Sequence, residues 1–305
     1  MPNTDTDKKM LHKLGFTLRE TLGEGKFSNV KVATSTKHKE PLAIKVVDRR
    51  RVSQESVQKF LPRELSILRK LDHPNIVQTL EIFDMTNEMV YIVMESAGTD
   101  LQQLVQKMGK MPCVPDARDI FVQVVGAVCY LHGCNIVHLD IKCENILLSA
   151  DGRQAKIADF SLSKEVSSVP ELSTTFCGTE SYVAQELWLR FPHDAKKVDV
   201  WSLGVVLFAM VTGSLPFHGC LCNMVQNQQQ GVLHLRGVSQ LPEPCQALIV
   251  QMLQFFPHTR PSMEQVASNR GILPRDCVGL SLFCSINAVE KKLLSSLSSC
   301  GCGWD

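Results

Sequence analysis

The sequence predicts an α+β fold in two lobes, a small β-rich lobe followed by a larger helical one, with a ligand cleft between them. Three observations carry that prediction. From Phe16 to about Glu95 the chain is built from β-branched or alternating runs, FTLRETLG, SNVKVATS, PLAIKVVD and EMVYIVME. After Glu95 the balance shifts to buried helical runs, ARDIFVQVVGAVCYLH and VDVWSLGVVLFAMVTG, the second closed by a glycine. Residues 92–98 then form a hinge, and clefts between lobes commonly bind small ligands.

Taken in order, a short polar tail, residues 1–15, precedes the first strand. One helical stretch, SVQKFLPRELSILRKL, interrupts the strands, with Phe60, Leu61, Leu65, Leu68 and Leu71 at helical intervals. Pro62 inside it marks an early turn or a kink. In the helical half, CQALIVQMLQ is a shorter amphipathic helix. Beyond about residue 272 the pattern fades: VEKKLLSSLSS suits one more helix, and SSCGCGWD a frayed end.

Bulk properties narrow the function classes. The 305 residues, 44% apolar and 21% charged, have the composition of a soluble globular protein. A net charge of +1 gives no bulk electrostatic case for nucleic acid or an anionic membrane. The start MPNTDTDKKM has no apolar core of a secretory signal, and LGVVLFAMV falls short of the roughly 20 residues that span a bilayer. An intracellular chain is expected. Its 12 cysteines include two C-x-C pairs, Cys220/Cys222 and Cys300/Cys302, without the spacing of a zinc site. Free thiols are expected in a reducing compartment, with Cys129 a small core hydrophobe.

The chemistry lies in a series of short motifs. GEGKFSNV, from Gly23 to Val30, falls between two strands, which argues against a dinucleotide-binding turn and for a glycine-rich hairpin over phosphates. Gly23, Glu24 and Gly25 belong to it, and Ser28 stands where a third glycine is usual. LAIK places Lys45 on the next strand, its ammonium suited to two nucleotide phosphates, and Glu64 on the FLPREL helix is the carboxylate to pair with it. A surface ion pair is the bland alternative. HLDIKCEN then supplies Asp140 to accept the proton of an incoming hydroxyl, Lys142 to neutralise a moving phosphoryl group and Asn145 as a ligand of Mg²⁺. Asp159 of ADFS is a hard carboxylate suited to a second metal position. The order and spacing of these groups make a merely solvated polar loop a poor account of them.

On these motifs the chain resembles a eukaryotic protein kinase from about Phe16 to Leu273. Further matches are the segment from Asp159 to Glu186, the VDVWSLG helix, and HTRP, whose Arg260 corresponds to a buried arginine that pairs with Glu186. Lys142, two places after Asp140, resembles the serine/threonine class. KFLPREL, TLEIFD, YIVMES, VHLDIKCENILL, TTFCG and MVTGSLPF are similar to the testis-specific serine/threonine kinases of the calcium/calmodulin-dependent kinase group. KCEN is the telling piece, since most relatives have proline where Cys143 stands.

The resemblance implies a tail at 1–15, a kinase domain at 16–272 with lobes 16–95 and 96–272, and a second tail at 273–305. It implies Mg²⁺ and ATP, with an adenine pocket from Leu22, Val30, Ala43 and Leu147, Met94 as gatekeeper, and the backbone of Glu95 and Ala97 on the adenine edge. Glu144 sits where basophilic kinases receive an arginine upstream of the target residue, with Asp100 beside the hinge to help. Protein serine/threonine substrates, a monomer, male germ cells, a cytoplasmic site and a chaperone partner are further implications.

Four departures cluster near the site. Leu139 replaces an arginine that receives the phosphate of a phosphorylated loop, leaving Lys164 as a point charge for one on Thr175. Ser161 replaces a glycine, which matters only if the backbone there needs positive φ. Glu180 replaces a small residue or proline, and Gln185 a proline. Two functions follow: a kinase with weak dependence on loop phosphorylation, or a kinase-fold scaffold that holds nucleotide without transferring phosphate.

Overall fold

A computed structural model describes residues 4–24, 28–51, 53, 56–167, 172–217, 219, 221–230 and 241–269. Helix α1 (Thr4–Lys13) leads into strands β1 (Phe16–Glu24), β2 (Ser28–Ser35) and β3 (Leu42–Asp48). After helix α2 (Leu61–Leu68) come β4 (Thr79–Asp84) and β5 (Met89–Glu95), and the five strands form one antiparallel sheet in the order β1-β2-β3-β5-β4.

Strand parity decides which side chains reach the cleft. Ile44 and Val46 face the same side as Tyr91 and Val93, where Leu11 of α1 and Phe16 pack on them. Ala43, Lys45 and Val47 therefore face the other way, Val47 joining α2 and the main core. A slip of one residue would point Lys45 at α1.

Two expectations need correction here. Residues 1–15 are not simply a polar tail, because Thr4–Lys13 is helical and Leu11 is completely buried against the sheet. A helix with so few apolar residues draws its order from that tertiary contact. The stretch from Ser56 to Leu71 is not one helix either. A wide turn, Ser56–Phe60, precedes α2, which starts at Leu61 because Pro62 has no N–H to donate to Gln58. Strand β4 adds to the four runs that alternation picks out; it is an edge strand, only partly buried along most of its length.

The second lobe is built on helices. The chain pairs β6 (Thr99–Asp100) with β8 (Ile146–Leu148), and α3 (Leu101–Met108) follows β6 directly. Helix α4 (Arg118–Gly133), strand β7 (Ile136–Val137), β9 (Ala155–Ile157) and β10 (Lys164–Glu165) frame the loops that carry the motifs. Then come α5 (Gln185–Trp188), α6 (Ala195–Thr212), α7 (Leu221–Gln229), α8 (Glu243–Met252) and α9 (Met263–Ala267). Helix α6 is buried almost all round, the expected state of a helix with apolar residues on every face. Asp194 caps its start, accepting from Lys196 N–H at 2.9 Å. Gly213 ends it at φ 74°, and a Cβ there would stand 1.6 Å from the Gly109 carbonyl oxygen. Only glycine fits that close approach.

Among the described residues no helix is long and apolar enough to cross a membrane. Cys129 is partly buried against the core, as a small hydrophobe would be. The side chains of Cys220, Cys222, Cys300 and Cys302, and the segment 273–305, lie outside the described residues.

Candidate active site

Lys45 and Glu64 meet where β3 passes α2. The ammonium donates to Glu64 Oε1 at 2.7 Å and to Asp159 Oδ1 at 3.0 Å, so one cation ties the sheet, the helix and the second lobe together. Burial alone would depress the Lys45 pKa, yet the two carboxylates outweigh it and hold the value above the usual lysine range. Burial likewise pushes Asp159 up, but Lys45 prevails and brings it down to about 2. Both groups are charged at neutral pH. Such a buried pair is poor evidence of stability, since desolvation offsets much of the attraction. Its value is positional.

The loop after β7 is shaped by a carboxylate far away in sequence. Asp199, fully buried in α6, accepts from His138 N–H at 2.9 Å and Leu139 N–H at 2.8 Å, and it contacts His132 Nε2 at 2.9 Å. Leu139 sits at φ 67°, a conformation costing about 1–3 kcal/mol for a non-glycine residue. Asp140 N–H donates to His138 Nδ1 at 3.2 Å, which assigns the proton to Nε2, donating to Ala158 C=O at 3.0 Å. His138 also meets the Phe160 ring edge-on at 5.0 Å. The turn is thus fixed on both sides of Asp140.

The Asp140 carboxylate is surrounded by donors. Thr179 Oγ1 donates to Oδ1 at 2.7 Å, Asn145 Nδ2 to Oδ2 at 3.1 Å, and Lys142 Nζ stands 2.9 Å from Oδ2. Lys142 also donates to Thr179 Oγ1 at 2.8 Å. A carboxylate has about four lone-pair sites. Among the described residues two are filled by hydrogen bonds and Lys142 lies against a third, so one is left for an incoming hydroxyl.

Asn145 and Asp159 fit a hard divalent cation. Ala158 N–H donates to Asn145 C=O at 2.9 Å, bringing the two segments side by side. The Asn145 amide spends its nitrogen on the Asp140 carboxylate and carbonyl, leaving Oδ1 to ligate. Mg²⁺ is usually held by one or two protein oxygens together with substrate phosphates and water, and this donor set has that character. Ser161 is not among the residues with positive φ; Asp159 is, at 58°. Serine at 161 therefore carries no left-handed strain, and its N–H reaches Asp159 Oδ1 at 3.4 Å.

The expected adenine pocket is partly assembled by strand register. Ala43 lies opposite Met94, Val30 opposite Lys45, and Leu147 opposite Asp100 just past the hinge. Leu22 lies at an irregularity in the β1–β2 register and is 55% exposed. Gly23 and Glu24 are exposed at the strand end, while Gly25 lies outside the described residues. Glu95 N–H is spent on Gln78 C=O at 3.1 Å and so is not the group to meet an adenine edge. Its side chain holds Lys156 at 2.7 Å. Ala97 follows in the segment without regular structure between β5 and β6.

The departures find physical places. Leu139 is 2% exposed and packs with Val137, Val183, Leu187 and Val198, with Leu162 and Cys177 at the edge. Lys164 donates to Ser173 Oγ at 2.5 Å and Thr175 Oγ1 at 3.3 Å. Gln185 is buried, and its amide donates to the Phe255 carbonyl, which also receives Arg260 Nη2 at 3.1 Å. Arg260 grips Glu186 with both terminal nitrogens, at 2.5 and 2.9 Å, and lies 4.8 Å over the Trp201 ring. Burial pushes the Cys143 thiol up to about 12, so it is an unreactive packing group.

Asp100 has a structural task beside the hinge. Its carboxylate caps α3, accepting from Gln103 N–H at 2.8 Å and Gln103 Nε2 at 2.6 Å. Glu144 is exposed and lines a cavity of about 410 Å³ with Gln102, Gln106, Thr179, Ser181 and Tyr182. Thr179, His138 and Asp199 are parts of the site that the sequence reading missed. Thr179 had a local signal, its place in the TTFCGTE run, and Asp199 one in VDVWSLG; what neither run shows is that both meet the loop carrying Asp140, which only folding brings about.

Residues 16–270 match the protein kinase domain family. The chain is 44% identical over 259 residues to testis-specific serine/threonine-protein kinase 3 of Mus musculus, covering 83% of this chain and 94% of the relative. The Homo sapiens counterpart is 43% identical over 256 residues, with the same coverage. Testis-specific serine/threonine-protein kinase 1 of Homo sapiens is 37% identical over 275 residues, covering 88% of this chain and 74% of the relative.

Proposed function

The chain belongs to the protein kinase family, as a serine/threonine protein kinase, and from that premise we propose that it is catalytically active. It transfers the γ-phosphoryl group of Mg-ATP to serine or threonine hydroxyls of proteins. The observation that carries this reading is the simultaneous pairing of Lys45 with Glu64 and Asp159, beside an Asp140 that keeps one acceptor site open.

Each residue has a task in that reaction. Lys45 is oriented by Glu64 and directs its remaining donor capacity at nucleotide phosphates. Asp140 accepts the proton of the attacking hydroxyl through its open site, within hydrogen-bond reach. Lys142, already in contact with Asp140 and Thr179, supplies positive charge where the phosphoryl group moves. Asn145 Oδ1 and the Asp159 carboxylate hold Mg²⁺, which neutralises phosphate charge when bound. Phosphoryl transfer depends mostly on positioning and electrostatics, and none of the four departures removes a charged group from this set.

The relatives are named testis-specific, which supports a role in male germ cells, and we extend the reading to cytoplasmic action by a monomer. Glu144 beside the 410 Å³ cavity supports a basic substrate segment. The test is phosphate transfer from Mg-ATP to a serine/threonine peptide mixture by the parent and by Asp140→Asn. Transfer lost in the variant supports the enzyme. Silence in both, with ATP still raising Tm, would favour the nucleotide-holding scaffold.

A further inference from the structure

Glu180 carries a carboxylate one residue beyond Thr179, whose hydroxyl donates to Asp140 at 2.7 Å. It is exposed at the head of the short turn Glu180–Tyr182, and among the described residues it makes no hydrogen bond or ion pair through its side chain. Apart from Glu144, which borders the cavity, the other acids near the site are engaged. Glu64 and Asp159 hold Lys45, Glu186 holds Arg260, and Asp100 caps α3. An exposed glutamate with no partner is ordinarily a solvated surface charge. Glu180 differs in its place.

Glu180 faces a substrate in this way only on the kinase reading above. An acceptor hydroxyl must come within hydrogen-bond distance of Asp140, and Thr179 already touches that carboxylate. Successive Cα atoms are 3.8 Å apart, and an extended segment advances about 3.3–3.6 Å per residue. The side chain one position from the acceptor therefore passes over the Thr179–Tyr182 turn, within reach of a glutamate. The cavity that Glu144 borders is lined by Thr179, Ser181 and Tyr182 of that turn but not by Glu180. The two acids thus read different substrate positions.

We propose that Glu180 is a specificity-determining residue that selects a lysine or arginine directly beside the phosphoacceptor. A proline or small residue at 180 would offer no such charge. Exposed ion pairs contribute little, so the expected preference is about two- to fivefold at low salt and shrinks as salt screens it.

The test measures binding separately from turnover. Fluorescence anisotropy compares peptides with alanine at the acceptor position and lysine, alanine or glutamate at each flanking position. The parent should bind the lysine peptide about two- to fivefold more tightly than the alanine peptide at one flank. Glu180→Gln should abolish that difference, and Glu180→Lys should reverse it in favour of glutamate. Equal binding of all three peptides, or no peptide binding at all, overturns the proposal. So does a lysine preference that survives Glu180→Gln, which would assign it to another acid. Serine versions of the same peptides then report phosphate transfer. A Glu180-dependent preference without transfer would leave this inference standing and overturn the kinase reading instead.

Discussion

The Leu139 N–H donates to the Asp199 carboxylate at 2.8 Å, while the leucine side chain is buried in an apolar cluster. The buried carboxylate fixes the backbone entering Asp140, and the side chain fixes the segment that runs past it. Val183 in that cluster, with Leu162 and Cys177 packed at its edge, comes from the stretch between Asp159 and Glu186, and Leu187 follows directly after it. That segment is therefore held by packing rather than by a phosphate clamp. Leu139→Ala should destabilise by about 2–4 kcal/mol in urea unfolding, the usual cost of truncating a buried leucine. Thr175→Ala should keep peptide phosphorylation within about threefold of the parent. A loss of a hundredfold would show that phosphate, not packing, orders the segment.

The pH dependence of stability should carry the mark of Asp159. Its folded pKa of about 2 lies below the usual value near 3.9. A depressed carboxylate contributes stability above its unfolded pKa, and loses it as pH falls from about 4 toward about 2. Urea midpoints in that window should decline in the parent. In Lys45→Met the shift that Lys45 imposes on Asp159 disappears, so the decline should be shallower there. Parallel pH profiles for the two proteins would contradict the assignment.

Ser161 is a simple case once its backbone is known. Because its φ is not positive, glycine is not required there. Ser161→Gly should change kcat by less than about twofold and lower stability by up to about 1 kcal/mol, since glycine has more freedom to lose on folding. A gain of tenfold or more in kcat would show that serine restrains the active loop.

How much of the site was legible in sequence depended on how local each signal was. Lys45 could be placed from strand periodicity, and Asp140, Lys142 and Asn145 from one short segment. The pairing of Lys45 with Glu64 was suggested by element order, and the structure brings their charged atoms to 2.7 Å. Asp199 and Thr179 meet the same loop from 60 and 39 residues away, and no periodicity encodes such a meeting. The cap role of Asp100 was masked because an acid near a hinge suits ligand binding and helix capping equally. Helix α1 was missed because its sequence holds so few apolar residues; among its described side chains Leu11 is the one that is completely covered.

The Glu186–Arg260 pair should prove far more costly to break than the proline-to-glutamine departure beside it. Arg260 is buried, makes two bonds to Glu186 and donates to the carbonyls of Gln254 and Phe255. Arg260→Met leaves a buried carboxylate without its partner, which typically costs about 3–5 kcal/mol. Gln185→Pro should stay within about 1 kcal/mol of the parent. Residue 185 is the first of α5, where proline fits, and the Phe255 carbonyl keeps its bond from Arg260. Thermal unfolding of the two variants gives the comparison, and equal losses of Tm would be unexpected.

Thr179 offers the sharpest test of how Asp140 is positioned. Its hydroxyl gives one hydrogen bond to Asp140 Oδ1 and receives one from Lys142, so a single side chain spaces the carboxylate and the cation. In Thr179→Ala, Lys142 is free to collapse onto Asp140, from which it is already 2.9 Å away, and the fourth acceptor site is filled by the wrong donor. Misplacing a general base and its neighbouring cation should lower kcat by about 10- to 100-fold. KM for ATP should move little, since Thr179 lies on the acceptor side of the site. Thr179→Ser keeps the hydroxyl and should restore most of kcat. If serine fails to rescue, the methyl packing of Thr179, rather than its hydrogen bonds, would be what the site requires.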